Sequence, residues 1–185
     1  ADLVGISLAT APGRACYIPL AHKAEGGGDG LFADDTVAPG QIPLQAALDA
    51  LRPVLEDPAI LKIGQNMKYD AKILHRYGLH IAPIDDTMLL SYAMHGGLHG
   101  HGMDQLSERY LSHNPIPIKE LIGSGKSQIT FDRVPIPEAT RYAAEDADIT
   151  LRLWEQFRPA LHRARVTTVY ETLERPLIPV LARME

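Results

Sequence analysis

Two apolar segments near the start of the chain predict a β-hairpin. Residues 1–10 (ADLVGISLAT) and residues 15–21 (ACYIPLA) are rich in apolar and small side chains, a composition typical of strands. Pro12 and Gly13 stand between them and supply the turn. The glycine-rich stretch over residues 26–30 (GGGDG) then predicts a flexible loop.

From residue 43 onwards, helical and strand patterns alternate, and helices then take over. The apolar spacing predicts, in order, a helix over residues 43–56, a strand over 60–63, a helix over 67–77, a strand near 80–84 and helices over 86–94, 103–111, 137–157 and 166–185. Asn66 is placed to cap the second of these helices, and Gly78 to end it. The order of the elements predicts an α/β fold, with a sheet covered by helices in a single domain over residues 1–185.

The composition is that of an ordinary soluble globular protein. Hydrophobic residues make up 45% of the chain and charged residues 22%, and no apolar stretch approaches the roughly 20 residues that span a bilayer. The single Cys16 cannot form an internal disulfide, so a reducing compartment, the cytoplasm, is expected. The net charge of -5 argues against a broad basic surface for duplex DNA. It does not exclude a nuclease site in which bound cations attract phosphate.

Two predicted helices carry an aspartate on their apolar face. Asp70 lies on the apolar stripe of one helix, and Asp146 lies on that of another. A buried carboxylate needs a cation, a metal ion or several donors to remain ionised. Either each aspartate pairs with a neighbouring cation such as Lys68 or Lys72, or the two converge on a metal site. The repetition of the pattern favours the metal site.

Two segments of the chain resemble known nuclease motifs. GQNMKYDAKIL (residues 64–74) and YAAEDADITLRLW (residues 142–154) resemble the second and third exonuclease motifs of family A DNA polymerases, the family of bacterial DNA polymerase I enzymes. The stretches DDTMLLSYAMHG, HGMDQLSERYL and GSGKSQITF, and the ending ERPLIPVLARME, also resemble this family. The resemblance therefore covers almost the whole chain.

The resemblance implies a fold and a reaction. The fold is ribonuclease H-like, a mixed sheet flanked by helices, and the reaction is the hydrolysis of nucleotides from DNA 3' ends, as in proofreading. Asp70 and Asp146 match two catalytic carboxylates of a two-metal site that binds Mg²⁺ or Mn²⁺. Tyr142 marks the tyrosine variety of the four-carboxylate (DEDDy) nucleases. It is expected to orient the attacking water, because a phenol with a pKa of about 10 is a poor base at neutral pH.

The residues around the second motif hold the frayed DNA strand in this family. By position this implicates Gln65, Asn66 and Tyr69 in DNA binding, through hydrogen bonds and base stacking. From the residues alone, Asn66 is equally well a helix cap and Tyr69 an ordinary half-exposed aromatic residue. The implied partners are a single-stranded DNA 3' end and a polymerase domain of the same parent chain, toward which residues 166–185 lead.

The chain departs from the family at its start. The family carries an Asp-x-Glu pair on a first, central strand, and this chain begins after that point, so two metal ligands are expected to be missing and the activity of the fragment impaired. Asp2 is no substitute, because no glutamate stands two residues beyond it. Asp85 and Asp86 are expected to cap a helix instead. Without the central strand, exposed strand edges predict a gap, strand exchange or dimerisation.

Two other clusters are expected to be structural. GSGKS at residues 123–127 lacks the glycine that a phosphate loop requires five residues before Gly125. His95, His99 and His101 lie in a glycine-rich connection, which favours a plain loop over a zinc site.

Two alternative functions follow from the same residues. A catalytically inactive domain that supports a neighbouring polymerase would account for the missing pair, whereas the retained Asp70, Tyr142 and Asp146 argue against it. An RNA-trimming DEDDy exonuclease would share the second and third motifs, and the polymerase-like ending argues against it. Preference for DNA or RNA 3' ends distinguishes these nucleases.

Overall fold

A computed structural model describes residues 3–24 and 36–185. Residues 1–2 and the predicted loop over residues 26–30 lie outside these ranges. The strands are β1 (Gly5–Ala11), β2 (Arg14–Pro19), β3 (Lys62–Gly64) and β4 (Ile84–Asp86). The helices are α1 (Leu44–Leu55), α2 (Met67–Arg76), α3 (Thr87–His95), α4 (Met103–Leu106), α5 (Ile118–Ile122), α6 (Ile136–Arg163), α7 (Thr167–Val169) and α8 (Arg175–Met184). Two π-helical turns, Ser107–Leu111 and Tyr170–Glu174, follow α4 and α7, and 3-10 turns occupy Gly125–Ser127 and Phe131–Arg133.

The chain divides into two compact units. Unit 1 comprises Ala1–Ala50 and Ile116–Asp148, and unit 2 comprises Leu51–Pro115 and Ile149–Glu185. Each unit holds a two-stranded sheet, antiparallel β1 and β2 in unit 1 and parallel β3 and β4 in unit 2. The fold is therefore α/β with both kinds of strand pairing, as predicted. Nothing in the hydrophobic pattern indicates the division into units.

The predicted hairpin is confirmed in unit 1. β1 and β2 pair from Gly5 opposite Pro19, and the turn contains Gly13 with a φ of 75°, a left-handed conformation that glycine adopts without strain. The backbone N–H of Gly13 donates to Oδ1 of Asp148 on α6, at 2.6 Å. A carboxylate on the helix therefore holds the tip of the hairpin.

The core of unit 2 is an apolar cluster built from four segments. α3, α4, the second half of α6 and the π-turn after α7 contribute Leu90, Leu106, Ile149, Leu153, Phe157, Leu161 and Tyr170, all almost completely buried. The residues from α6 recur every four positions, so they lie on one face of the helix. The apolar stripe predicted for this helix is confirmed.

The structure changes several of the predicted boundaries. β4 covers Ile84–Asp86 instead of residues 80–84, because two aspartates, which are rare in strands, form its end. α6 continues to Arg163 and contains Pro159. α5 and the 3-10 turns were not predicted, since elements this short show no periodicity. Within the described ranges, no helix is long and apolar enough to cross a membrane.

Candidate functional site

Asp86 anchors the beginning of two helices in unit 2. Its side chain is 1% exposed and accepts hydrogen bonds from the backbone N–H groups of Met88 and Leu89, at 2.9 and 3.4 Å, at the start of α3. The same carboxylate accepts from the N–H groups of Asn66 and Met67, at 3.0 and 2.8 Å, at the start of α2. Burial raises the pKa of Asp86, whereas these four donors favour its ionised form. The expectation that Asp86 caps a helix is confirmed, and it extends to a second helix.

Asn66 does not cap α2 with its side chain, so that alternative is wrong. It occupies the N-cap position in a left-handed conformation, with φ 62° and ψ 47°, and makes no side-chain capping bond. Asparagine tolerates this conformation better than most residues. Because Asp86 satisfies the backbone, the exposed Asn66 side chain is not needed to hold the helix.

Asp85 is a buried ionic centre, and the expectation that it caps a helix is wrong. Its carboxylate is fully buried and accepts hydrogen bonds from Nε1 of Trp154 at 2.7 Å and from the hydroxyl of Tyr170 at 3.1 Å. The guanidinium groups of Arg158 and Arg175 lie 3.7 and 3.4 Å away. Sequence analysis missed this role. The available signal was a pair of adjacent acids directly after an apolar segment.

Asp70 lies in the first turn of α2 and is exposed to solvent, unlike Met67 and Leu74 on the same helix. The prediction that Asp70 is buried on the apolar face of the helix is therefore wrong. Desolvation by the surrounding protein nevertheless raises the pKa of Asp70 to about 6, and repulsion from the Asp86 carboxylate adds to the rise. An accessible carboxyl that is also desolvated is well suited to receive a cation.

The lysines beside Asp70 form ion pairs elsewhere. Nζ of Lys68 lies 2.5 Å from Oε1 of Glu185, and Nζ of Lys72 lies 3.0 Å from Oε2 of the same carboxylate. Within the described part of the chain, both lysines thus pair with the end of α8 rather than with Asp70. This outcome disfavours the alternative in which Asp70 is a simple ion-pair partner.

The predicted DNA-binding residues fall into two groups. Asn66 and Tyr69 are exposed, the latter by 53%. Gln65 is half-buried, and its amide is engaged on both sides, since Nε2 donates to the carbonyl of His101 at 2.8 Å and Oε1 accepts from the Thr87 hydroxyl. Asn66 and Tyr69 can therefore reach a ligand, while Gln65 holds the loop between β3 and α2.

Tyr142 and Asp146 lie in unit 1, one turn apart on α6, and both are half-buried. The ring of Tyr142 contacts that of Phe131, with centroids 6.0 Å apart at an interplanar angle of 59°. Two other acids of this helix have structural roles. Oε2 of Glu145 accepts from the N–H of Ile116 at 2.7 Å, as Asp148 does from the hairpin.

The candidate metal ligands supply oxygen donors. Asp70 belongs to unit 2 and Asp146 to unit 1. Residues 3–24 and 36–185 contain no group of three or more His, Cys, Asp or Glu side chains that could hold a metal ion by themselves.

The histidine cluster and the GSGKS segment have structural contacts. Nδ1 of His101 lies 2.9 Å from the Ser91 hydroxyl, and Nε2 of His99 lies 3.2 Å from the Tyr110 hydroxyl. These bonds support the interpretation as an ordered loop. GSGKS forms a 3-10 turn over Gly125–Ser127. A phosphate loop would instead open a longer helix.

Comparison with known proteins adds independent findings. The family model described as 3'-5' exonuclease matches residues 1–162. DNA polymerase I of Rhizobium leguminosarum is 53% identical over 194 residues, covering 100% of this chain and 19% of that protein. The chain thus spans about a fifth of the length of this relative.

Solved structures share the fold. The POL domain of Pol1 from M. smegmatis, in complex with DNA primer-template and dNTP, has a TM-score of 0.69 at 20% identity and covers 99% of this chain and 25% of that one. Brucella melitensis NrnC with bound Mg²⁺ has a TM-score of 0.58 at 21% identity, covering 72% of this chain and 62% of that one. With the family match and the full-length similarity, this chain belongs to the 3'-5' exonuclease family, in the form found in DNA polymerase I.

Proposed function

We propose that this chain is the metal-dependent exonuclease domain of a longer DNA polymerase I, and that the domain hydrolyses nucleotides from single-stranded DNA 3' ends when its parent chain is whole. The observation that carries the proposal is the start of α2. There an exposed carboxyl with a raised pKa, Asp70, lies one turn after the exposed Asn66, on a backbone anchored by Asp86. The start of this helix thus offers both a ligand for a cation and a polar contact for a DNA 3' end.

Asp70 and Asp146 are the proposed metal ligands. Their carboxylate oxygens suit Mg²⁺ or Mn²⁺, and a cation at Asp70 would offset the desolvation and the repulsion from Asp86 that raise its pKa. The structure of Brucella melitensis NrnC, which shares the fold, has bound Mg²⁺. When bound, divalent cations would supply an activated water and stabilise the leaving 3' oxygen.

Tyr142 is proposed to orient the attacking water through its hydroxyl group. It lies one turn before Asp146 on the same helix, so the phenol and the carboxylate project from one face. A phenol donates and accepts hydrogen bonds at neutral pH without losing its proton. It therefore positions water rather than deprotonating it.

Asn66 and Tyr69 are proposed to contact the DNA strand. The amide of Asn66 can bond sugar or phosphate oxygens, and the Tyr69 ring, 53% exposed, offers a stacking surface for a base. Gln65 is proposed to act by fixing the loop that carries Asn66, through His101 and Thr87. A bacterial domain of this kind would work in the cytoplasm beside the polymerase domain of its parent chain.

The test is nucleotide release from 3'-labelled single-stranded DNA by the full-length parent polymerase with Mg²⁺ or Mn²⁺. Asp70→Asn and Asp146→Asn are each expected to lower release by about 100-fold or more, because positioning and charge stabilisation supply most of such catalysis. Glu155→Gln, which changes an exposed acid on the same helix as Asp146, is the matched control.

The outcome that would contradict the proposal is release that persists in EDTA or in the Asp146→Asn variant. An RNA strand of the same sequence serves as the second substrate. Faster trimming of RNA than of DNA would favour the RNA-directed alternative, because only RNA carries the 2'-hydroxyl.

A further inference from the structure

We propose that Phe131 is a positioning residue for Tyr142, and that the hydrogen-bonded pair of the half-buried Tyr17 and the buried His22 fixes Phe131 in turn. The inference rests on the proposed function, because it matters only if Tyr142 orients the reacting water. All the residues involved belong to unit 1. They connect the hairpin, the 3-10 turn Phe131–Arg133 and α6.

The contact between Phe131 and Tyr142 has a favourable aromatic geometry. Their ring centroids are 6.0 Å apart at 59°, within the range in which tilted rings attract each other. Phe131 therefore forms one wall against which the phenol of Tyr142 rests. A three-residue 3-10 turn is weakly held by its own backbone bonds, so this wall needs support from elsewhere.

Two rings support the other side of Phe131. The Tyr17 ring lies 6.5 Å from it at 84°, and the His22 ring lies 5.8 Å from it at 57°. His22 is fully buried, whereas Tyr17, in β2, is half-buried. Phe131 is thus enclosed by aromatic rings from two segments that are distant in the chain.

The hydrogen bonds of His22 define its protonation. Nδ1 lies 3.0 Å from the carbonyl oxygen of Val134, and because a carbonyl only accepts, Nδ1 carries the hydrogen. Nε2 then accepts from the Tyr17 hydroxyl at 2.8 Å. Burial lowers the pKa of His22 and raises the pKa of Tyr17 to about 12, so both groups are neutral at physiological pH. In the hydrogen bond between the two side chains, Tyr17 is therefore the donor and His22 the acceptor.

One backbone hydrogen bond and one ion pair link the same turn to the segment that follows the hairpin, and Gln41 holds the neighbouring His22. The N–H of Lys23 donates to the carbonyl of Asp132 at 2.8 Å, and Nζ of Lys23 lies 3.4 Å from Oδ2 of Asp132. The side chain of Gln41 binds both the N–H and the carbonyl of His22, each at 2.8 Å. The position of Phe131 is therefore set from β2 and from the segment before α1.

The consequence concerns orientation. A shortened side chain at position 131 would remove the wall and let the phenol of Tyr142 rotate, without deleting any group that touches the strand. We expect kcat for exonuclease action to fall while KM for DNA stays nearly constant. Displacement of a positioning group by about 1 Å costs on the order of 100-fold in rate, so a fall of about 10- to 100-fold is expected for Phe131→Ala.

The experiment compares Phe131→Ala, Phe131→Leu, Tyr142→Phe and the Phe131→Ala/Tyr142→Phe double variant in the full-length parent polymerase. Ile129→Ala, in the segment leading into the turn, is the matched control, and polymerase activity reports on folding. Phe131→Leu, which retains apolar volume, is expected to recover most of kcat. In the Tyr142→Phe background, Phe131→Ala is expected to have little further effect, because two residues acting through one hydroxyl are not additive.

The outcomes separate the two proposals. If Tyr142→Phe itself leaves kcat unchanged, the proposed role of Tyr142 fails and the inference fails with it. If Tyr142→Phe lowers kcat but Phe131→Ala is silent, changes KM alone or lowers kcat equally in both backgrounds, the inference alone is overturned. A loss of polymerase activity in Phe131→Ala that Phe131→Leu does not restore would assign Phe131 to general folding and also overturn it.

Discussion

At the scale of single residues, the stability of unit 2 depends on carboxylates whose partners are backbone groups. Asp86 accepts from four N–H groups at the start of two helices. The helix-capping role could be predicted, because acids are common before helices. The contact with the second helix could not be predicted, since α2 begins about twenty residues earlier in the chain and only the fold brings it to Asp86.

Replacing Asp86 should destabilise the protein strongly. Asp86→Ala would leave buried N–H groups of both helices unsatisfied, and we expect a loss of about 2–4 kcal/mol in the free energy of unfolding. Urea denaturation followed by circular dichroism measures it. Asp104→Ala, at an exposed position in α4, is the control and should change stability by less than about 0.5 kcal/mol. Equal effects of the two substitutions would contradict the anchoring role.

The raised pKa of Asp70 predicts a pH dependence of stability in the metal-free protein. The folded state holds a proton on Asp70 up to a pH of about 6, whereas the unfolded chain releases it nearer pH 4. Because the folded state binds more protons in this window, stability contributed by this group falls as the pH rises from about 4 to 6. Asp70→Asn should flatten that fall. Denaturation curves across this range, compared with Asp104→Asn, test it.

At the scale of elements, helices with a regular apolar period were predicted well, and elements defined by tertiary contacts were not. α6 has the predicted apolar stripe, since Ile149, Leu153 and Phe157 lie on one face of the helix and are all buried. β4 was displaced in the prediction, because its aspartates are stabilised by arginines and backbone groups that are distant in sequence. Local propensity carries no information about such partners.

The Asp85 network predicts how α8 is held. Arg175, the first residue of α8, donates from Nε to the carbonyl of Ile84 at 2.7 Å and pairs with Asp85 and Glu171. Arg175→Ala should leave the Asp85 carboxylate short of a cation and increase amide hydrogen exchange in residues 175–184. Arg183→Ala, near the end of the same helix, should not. Unchanged exchange in Arg175→Ala would mean that the other contacts of α8 are sufficient to hold it.

At the scale of the whole molecule, the strand edges give the clearest expectation. Within the described ranges, β1 pairs with β2 alone, so one edge of β1 has no strand partner. Unpaired edges favour association of copies. The earlier expectation of dimerisation or strand exchange therefore stays a prediction. No local sequence pattern specifies which copies meet, since symmetry and concentration decide it.

Light scattering tests this expectation. The mass of the 185-residue chain should rise with concentration if the β1 edge associates, and Thr10→Lys should reduce the rise by placing a charge on the strand. Thr168→Lys, on the exposed surface of α7, is the matched control. A constant monomer mass for all three proteins would contradict the expectation.

The double anchoring by Asp86 also bears on how the chain could diversify. Because Asp86, a residue from another element, holds the beginning of α2, the exposed side chains at positions 66 and 69 are not needed to stabilise the helix. A library that varies position 69 should therefore change which DNA strands are preferred, with little loss of folding stability. Position 66 is more restricted, since its left-handed backbone favours asparagine, aspartate or glycine. Selection can thus reshape this surface largely through Tyr69 while the architecture beneath it stays constant.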